Sequence, residues 1–262
     1  MPTIARTPLL HGALVALGLA AASVAQAQST QLTVTITNLA PANGLAFAPL
    51  RVGFGDGSFD AFNLGQVAGA PIVSVAEGGS GAAWFPAFAA ADPGALTGTV
   101  GGLLLPGASA QAQFTVNTSS QGMFTFAAMV VPSNDFFIGN DDPMAYRLFN
   151  ANGQLMMPSI TVKAREIWDA GSEVFDPAAA AFVGNNDLRS DQNSVVAFNF
   201  AELSAFSGLA TGAGYTFNSS LAADSDVYRI DFALAPVPEP STYALLLAGL
   251  GLVAARRLRA QG

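Results

Sequence analysis

Cysteine is absent from the 262 residues, and the single histidine is His11. Without thiols there is no disulfide framework and no thiol nucleophile. His11 falls in a segment read below as a removable leader. The mature chain would therefore hold neither His nor Cys, which excludes histidine-based triads and ordinary zinc sites. Charge is also scarce, with 11% of residues charged. Between residues 28 and 235 there are 17 acidic and six basic residues, a net charge of −11. A nucleic-acid partner needs a basic face, so that class is excluded. The same imbalance suits cation binding and a soluble exported protein.

What remains is apolar and rich in turn formers. Half of the residues are hydrophobic, with 27 Gly and 15 Pro between the apolar runs. That is enough material for one large β domain or two small ones.

The two ends differ from the middle. Residues 1–27 have the form of a secretory signal: Arg6 supplies positive charge, Leu9 to Val24 is apolar, and Ala25-Gln26-Ala27 is a small-x-small cleavage site. A retained N-terminal anchor is the other reading, and the well-formed cleavage site disfavours it. At the other end, Pro236 to Thr242 is a proline-rich spacer. Tyr243 to Ala255 is a short apolar helix, followed by Arg256, Arg257 and Arg259. Thirteen apolar residues fall short of the ~20 that span a bilayer easily. A transient anchor through 243–255, with the basic end on the cytoplasmic side, is expected.

The middle, 28–235, reads as strands. Leu32, Val34 and Ile36 alternate with Thr33, Thr35 and Thr37. Further strands are expected over Phe47 to Phe54, Ala112 to Thr118, Gly122 to Val131, Arg147 to Phe149, Ser159 to Lys163, Ser194 to Phe200 and Val227 to Leu234. The run from 122 to 131 is apolar enough to be buried on both faces. Gly55 to Asp60 is a turn, and Asn150 to Gly153 is a hairpin turn. Residues 65–110 are the least patterned; Ala82 to Ala91 suits a short helix, with Pro86 preventing a long one. Many short strands between turn signals indicate an all-β antiparallel sandwich.

Two stretches place acids where apolar runs end. In Trp168 to Glu173, Asp169 and Glu173 lie four residues apart around Gly171. In a straight strand their Cα atoms would be ~13 Å apart. Curled into a turn they approach to about 6 Å, and Gly171 permits the curl. Asp135, after Pro132 and Ser133, is a candidate third arm. Three carboxylates with carbonyl oxygens and water suit Ca²⁺, a hard cation that takes six to eight oxygens. Solvated acids and Asx-turns are the plain alternative in such turns. A glycosidase with Asp169 and Glu173 as its carboxylate pair is another.

Two resemblances bear on these readings. Val237-Pro238-Glu239-Pro240-Ser241, the apolar helix and the Arg cluster resemble a PEP-CTERM sorting signal of Gram-negative bacteria. That resemblance implies export across the inner membrane, processing by an exosortase near Pro238, Glu239 and Pro240, and delivery to the cell surface or the extracellular polysaccharide matrix. The body is similar to the bacterial form of the spondin N-terminal domain in four ordered blocks: Thr33 to Pro41, Val52 to Asp60, Val131 to Gly139 and Trp168 to Val174. The resemblance implies an eight-stranded, C2-like sandwich with one Ca²⁺ and places ligands on Asp135, Asp169 and Glu173. Asn134, Phe136 and Glu173 depart from the family's Pro, Trp and Asp. The expectation is a secreted or surface-sorted Ca²⁺-binding sandwich without enzymatic turnover, acting in adhesion or association with polysaccharide or another surface partner. The alternatives are a glycoside hydrolase and a passive matrix component.

Overall fold

The Thr-alternating run becomes β1 (Ser29–Asn38), with Leu32, Val34 and Ile36 fully buried and the threonines between them half-exposed. The structure is a computed structural model and describes residues 29–198, 200–235 and 248–250. The expected leader, 1–27, and the sorting segment, 236–262, therefore lie outside the described residues, except that 248–250 are helical.

Nine further strands follow among the described residues: β2 (Ala46–Phe47), β3 (Leu50–Gly55), β4 (Leu96–Val100), β5 (Ser109–Asn117), β6 (Met123–Val131), β7 (Phe136–Gly139), β8 (Ser159–Lys163), β9 (Ile167–Asp169) and β10 (Asp226–Leu234). They form two antiparallel sheets. One has the order β5-β1-β10-β8; the other has the order β4-β3-β6-β7-β9, with β2 also paired to β6. The expected antiparallel sandwich is present, with ten strands in place of eight. Pro49 splits the 47–54 run into β2 and β3, because proline has no N–H for the ladder. The short β4 and β7 add to the count. Two expected strands are irregular. Arg147 to Phe149 makes only isolated bridges, Met123 with Arg147 and Phe149 with Leu155. Among its described residues, Ser194 to Phe200 likewise bridges only at Val195 and Ala197.

Three apolar clusters explain the sequence of β6, which is buried along its whole length; in the smallest, Met129 and Val131 pack with Ala46 and Ala48. Between the sheets, Phe124, Phe126, Ala128 and Val130 meet Leu32, Val52, Ile230 and Phe232. On its other face, Ala127 joins Phe137 under two helices, α1 (Ala70–Gly78) and α2 (Trp84–Ala91). These helices add Ile72, Val75, Trp84 and Phe88 to a second core with Phe59 and Phe62. Burial of each such large apolar side chain contributes about 1.5–3 kcal/mol. Phe88 presses directly on the sheet: a Cβ on Gly53 would lie 2.0 Å from its ring.

Both helices follow local rules. Pro71 starts α1, where a missing N–H is no loss. Gly79 ends it in the left-handed conformation, φ 59°, donating to the Ser74 and Val75 carbonyls. Pro86 falls in the first turn of α2, where the N–H has no intrahelical partner, so an eight-residue helix tolerates it. No helix among the described residues is long and apolar enough to cross a membrane.

Candidate cation site

The site is built where β6, β7 and β9 come together. After Val131 the chain turns through 132–135. The Ser133 hydroxyl fixes that turn by donating to the Val130 carbonyl (2.6 Å) and accepting from the Phe136 N–H (3.0 Å). β7 then pairs with β9, with Phe136 opposite Asp169 and Phe137 opposite Trp168. This register puts Asp135 beside the end of β9, so the two acid-bearing stretches become neighbours.

Asp135 is buried. Its Oδ2 accepts from the Ser172 N–H (2.7 Å), the Ser172 hydroxyl (3.1 Å) and the Glu173 N–H (2.9 Å). Its own carbonyl accepts from the Ala170 N–H at 3.1 Å. Asp135 thus holds the 170–173 loop in place through both its backbone and its side chain. Asp169 Oδ1 accepts from the Gly171 N–H at 2.7 Å. Gly171 has φ 67°, and a Cβ there would lie 2.8 Å from the Ser194 carbonyl carbon and the Val195 oxygen. The curl inferred around Gly171 is present, and only glycine fits it.

The electrostatics separate the three candidate acids. Burial raises the Asp135 carboxyl above its ordinary range, opposed by the Glu173 and Ser172 donors. Burial and then the charge of Asp135 push Asp169 up to about 7, against the Gly171 N–H. Asp135 lies close enough for its charge to act on the Asp169 carboxyl. Neither has an ion-pair partner among the described residues. Glu173 is different. Its side chain is 1% exposed and lies 3.1 Å from Arg189 Nε. Burial still raises it to about 7, because Arg189 compensates only in part and the charges of Glu77 and Asp135 work against it. The Arg189 N–H is not aimed along that contact. Both Glu173 carboxylate oxygens and Arg189 Nε therefore lack a hydrogen bond.

The structure thus joins Asp135 to Asp169 and gives Glu173 to Arg189. Among the described residues, no three His, Cys, Asp or Glu side chains already form a metal-holding group. One acid was missed in the sequence. Glu202, in the 3-10 turn Phe200–Phe206, is raised by burial and then by Asp135's charge. Its only sequence signal is an acid isolated in an apolar run.

The donor set is all oxygen and net negative, which suits a hard cation. A buried Asp135 beside a half-buried Asp169, neither with an ion-pair partner among the described residues, and the orphaned Glu173 oxygens both call for positive charge, so the residues fit a Ca²⁺ ion. Asp135 and Asp169 would hold it, and Glu173 would join after leaving Arg189.

Comparison with known proteins bears on the tail. Residues 236–260 match the family model of the PEP-CTERM protein-sorting motif. The motif marks the chain as an exosortase-processed, surface-sorted protein and indicates export in a Gram-negative bacterium. No curated protein matches the chain.

Proposed function

We propose that this surface-sorted sandwich binds one Ca²⁺ through Asp135 and Asp169, with Glu173 as a third ligand, and acts in adhesion or in association with the extracellular polysaccharide matrix. The observation that carries the reading is the Asp135–Asp169 pair: a buried carboxyl beside a half-buried one whose proton affinity it raises, neither with an ion-pair partner among the described residues. Such a pair is stable only with a proton or a cation, and at neutral pH in Ca²⁺ the cation is the better partner. The sequence blocks that resemble the spondin N-terminal domain motivate this. Two of its four blocks, Val131 to Gly139 and Trp168 to Val174, lie side by side through β7 and β9.

The surroundings of the acids favour binding over glycosidase chemistry. A catalytic acid pair has its pKa values pushed apart, one group protonated and the other ionised. Asp169 and Glu173 are both moved to about 7, which divides no labour between them.

Thermal melting of the exported protein tests the proposal. Melting should rise with millimolar Ca²⁺ and fall with chelator, since an ion at a hundred times its dissociation constant stabilises by about 2.7 kcal/mol. Mg²⁺ should substitute poorly, because it demands tight octahedral geometry. Asp169→Asn should remove most of the response. A parent protein indifferent to Ca²⁺, or an Asp169→Asn variant that responds in full, would sink the reading.

A further inference from the structure

Beside the acid pair, on the far side of the 170–172 segment, lies a hollow of about 280 Å³. Its walls come from three places: Val67 and Ala68 with Val73 and Glu77 of α1, then 170–172, then 191–194. We propose that this hollow is a saccharide site, taking one neutral hexose unit of an extracellular polysaccharide.

The walls are fixed by backbone pairing. The Ser194 N–H donates to the Gly171 carbonyl, the Gln192 N–H to the Ser172 carbonyl and the Val196 N–H to the Gln66 carbonyl, each at 2.8 Å. The Arg189 guanidinium donates to the Glu77 carbonyl and ties α1 to the third wall. The close approach at Gly171 leaves no room for a side chain between the second and third walls. The hollow is therefore held open by contacts to the same 170–173 loop that Asp135 holds.

Its chemistry selects the ligand. Half-buried Glu77 and exposed Asp191, Gln192, Asn193 and Ser194 line it, and their side chains have no internal hydrogen bond among the described residues, so they can exchange water for a ligand. Carboxylates offer two acceptor oxygens, and carboxamides offer both donors and acceptors. Together they can bracket adjacent hydroxyls, each of which donates and accepts. A phosphate or sulfate would face the Glu77 and Asp191 carboxylates and be repelled. A hydrocarbon would leave those polar groups desolvated and unpaired. The volume suits a single ring more than a large ligand. Val67, Val73 and Ala170 supply apolar surface for C–H faces of the ring.

The inference rests on the matrix-association reading and names its partner; it does not require the calcium ion. The test is saturation-transfer NMR on the exported protein with methyl α-mannoside, methyl β-glucoside and methyl β-galactoside. Glucosamine and inorganic sulfate serve as counter-probes, and each series is run with Ca²⁺ and with chelator. At least one neutral glycoside should bind, and Asp191→Ala and Gln192→Ala should each weaken it about tenfold, the loss of one or two hydrogen bonds. Their melting temperatures should match the parent's. Binding with these properties supports the site even where Ca²⁺ leaves melting unchanged, which would defeat only the calcium reading. A Ca²⁺-dependent melting shift with no glycoside binding would defeat the saccharide site and leave the calcium reading standing. Response to glucosamine or sulfate alone, or neutral binding untouched by both variants, overturns the inference.

Discussion

Acids along β8 and β10 and acids at the β7–β9 junction are treated in opposite ways. On the first side Lys163 pairs with Asp226 at 2.9 Å, Arg165 pairs with Asp224, and Arg229 pairs with Asp231 at 2.8 Å. All of these pairs are substantially exposed. At the junction Asp135 is buried and Asp169 half-buried, neither with a base among the described residues, and Glu173 has a single, poorly aimed one. Exposed ion pairs contribute about 0–1 kcal/mol. Buried carboxyls with no cation lower stability unless something neutralises them. A chain with six basic residues in its domain leaves the costlier acids uncovered. This contrast is what the calcium proposal rests on.

The sharpest way to break the contrast is to remove Asp135. Asp135→Ala strands the Ser172 and Glu173 N–H groups and frees the 170–173 loop. Each orphaned donor costs about 1–3 kcal/mol, so urea unfolding in chelator should show a loss of roughly 3 kcal/mol. Next is Arg189→Met, which leaves Glu173 buried beside Glu77 without its one base. Removing one partner of a buried pair costs about 3–5 kcal/mol when full charge remains. Because Glu173 titrates near 7, the loss should be about 2 kcal/mol at pH 8 and smaller at pH 5.5, where the group takes a proton.

A smaller effect should appear as a pH slope. The folded Asp169 and Glu173 carboxyls sit at about 7, above ordinary values of 3.8 and 4.5. Folding therefore favours their protonated forms. The resulting stability is fully present below about pH 4 and is lost as pH rises through 7. In chelator, melting temperature should fall across that window, and Asp169→Asn should flatten the fall. Smallest of all, Lys163→Ala should change stability by less than about 1 kcal/mol, since its pair is exposed. An effect of Lys163→Ala as large as that of Asp135→Ala would erase the distinction between the two sides.

Much of the sandwich was legible because its strands carry period-two or fully apolar patterns. Leu32, Val34 and Ile36 announce β1, and the unbroken apolar run of β6 signals cover on both faces. The cover itself was only half legible. The 84–91 helix was expected, whereas α1 was not. Ile72, Val75 and Ala76 have helical spacing, but their flanks are Ala, Val, Ser and Gly, so no polar face sets them off. The irregular 194–200 segment read as a strand because it alternates, yet it bridges the 66–67 loop and the end of β9 instead of extending a ladder.

At the site, Asp135 and Asp169 were legible from their places at the ends of apolar runs. The division between them and Glu173 was not, because it is set by Arg189, 16 residues further along, which the fold returns through the pairing of 171–174 with 190–194. Glu202 was hidden for the same reason.

Calcium binding measured by calorimetry at pH 6.5, in two buffers of different ionisation heat, tests the central claim most directly. Carboxyls that titrate near 7 must give up protons to a cation, so Ca²⁺ binding should release protons at pH 6.5 and release far fewer at pH 8.5. Asp169→Asn should abolish both the binding heat and its buffer dependence. Absence of Ca²⁺ binding at either pH, or binding with no proton release at pH 6.5, would contradict a cation held by the Asp135–Asp169 pair.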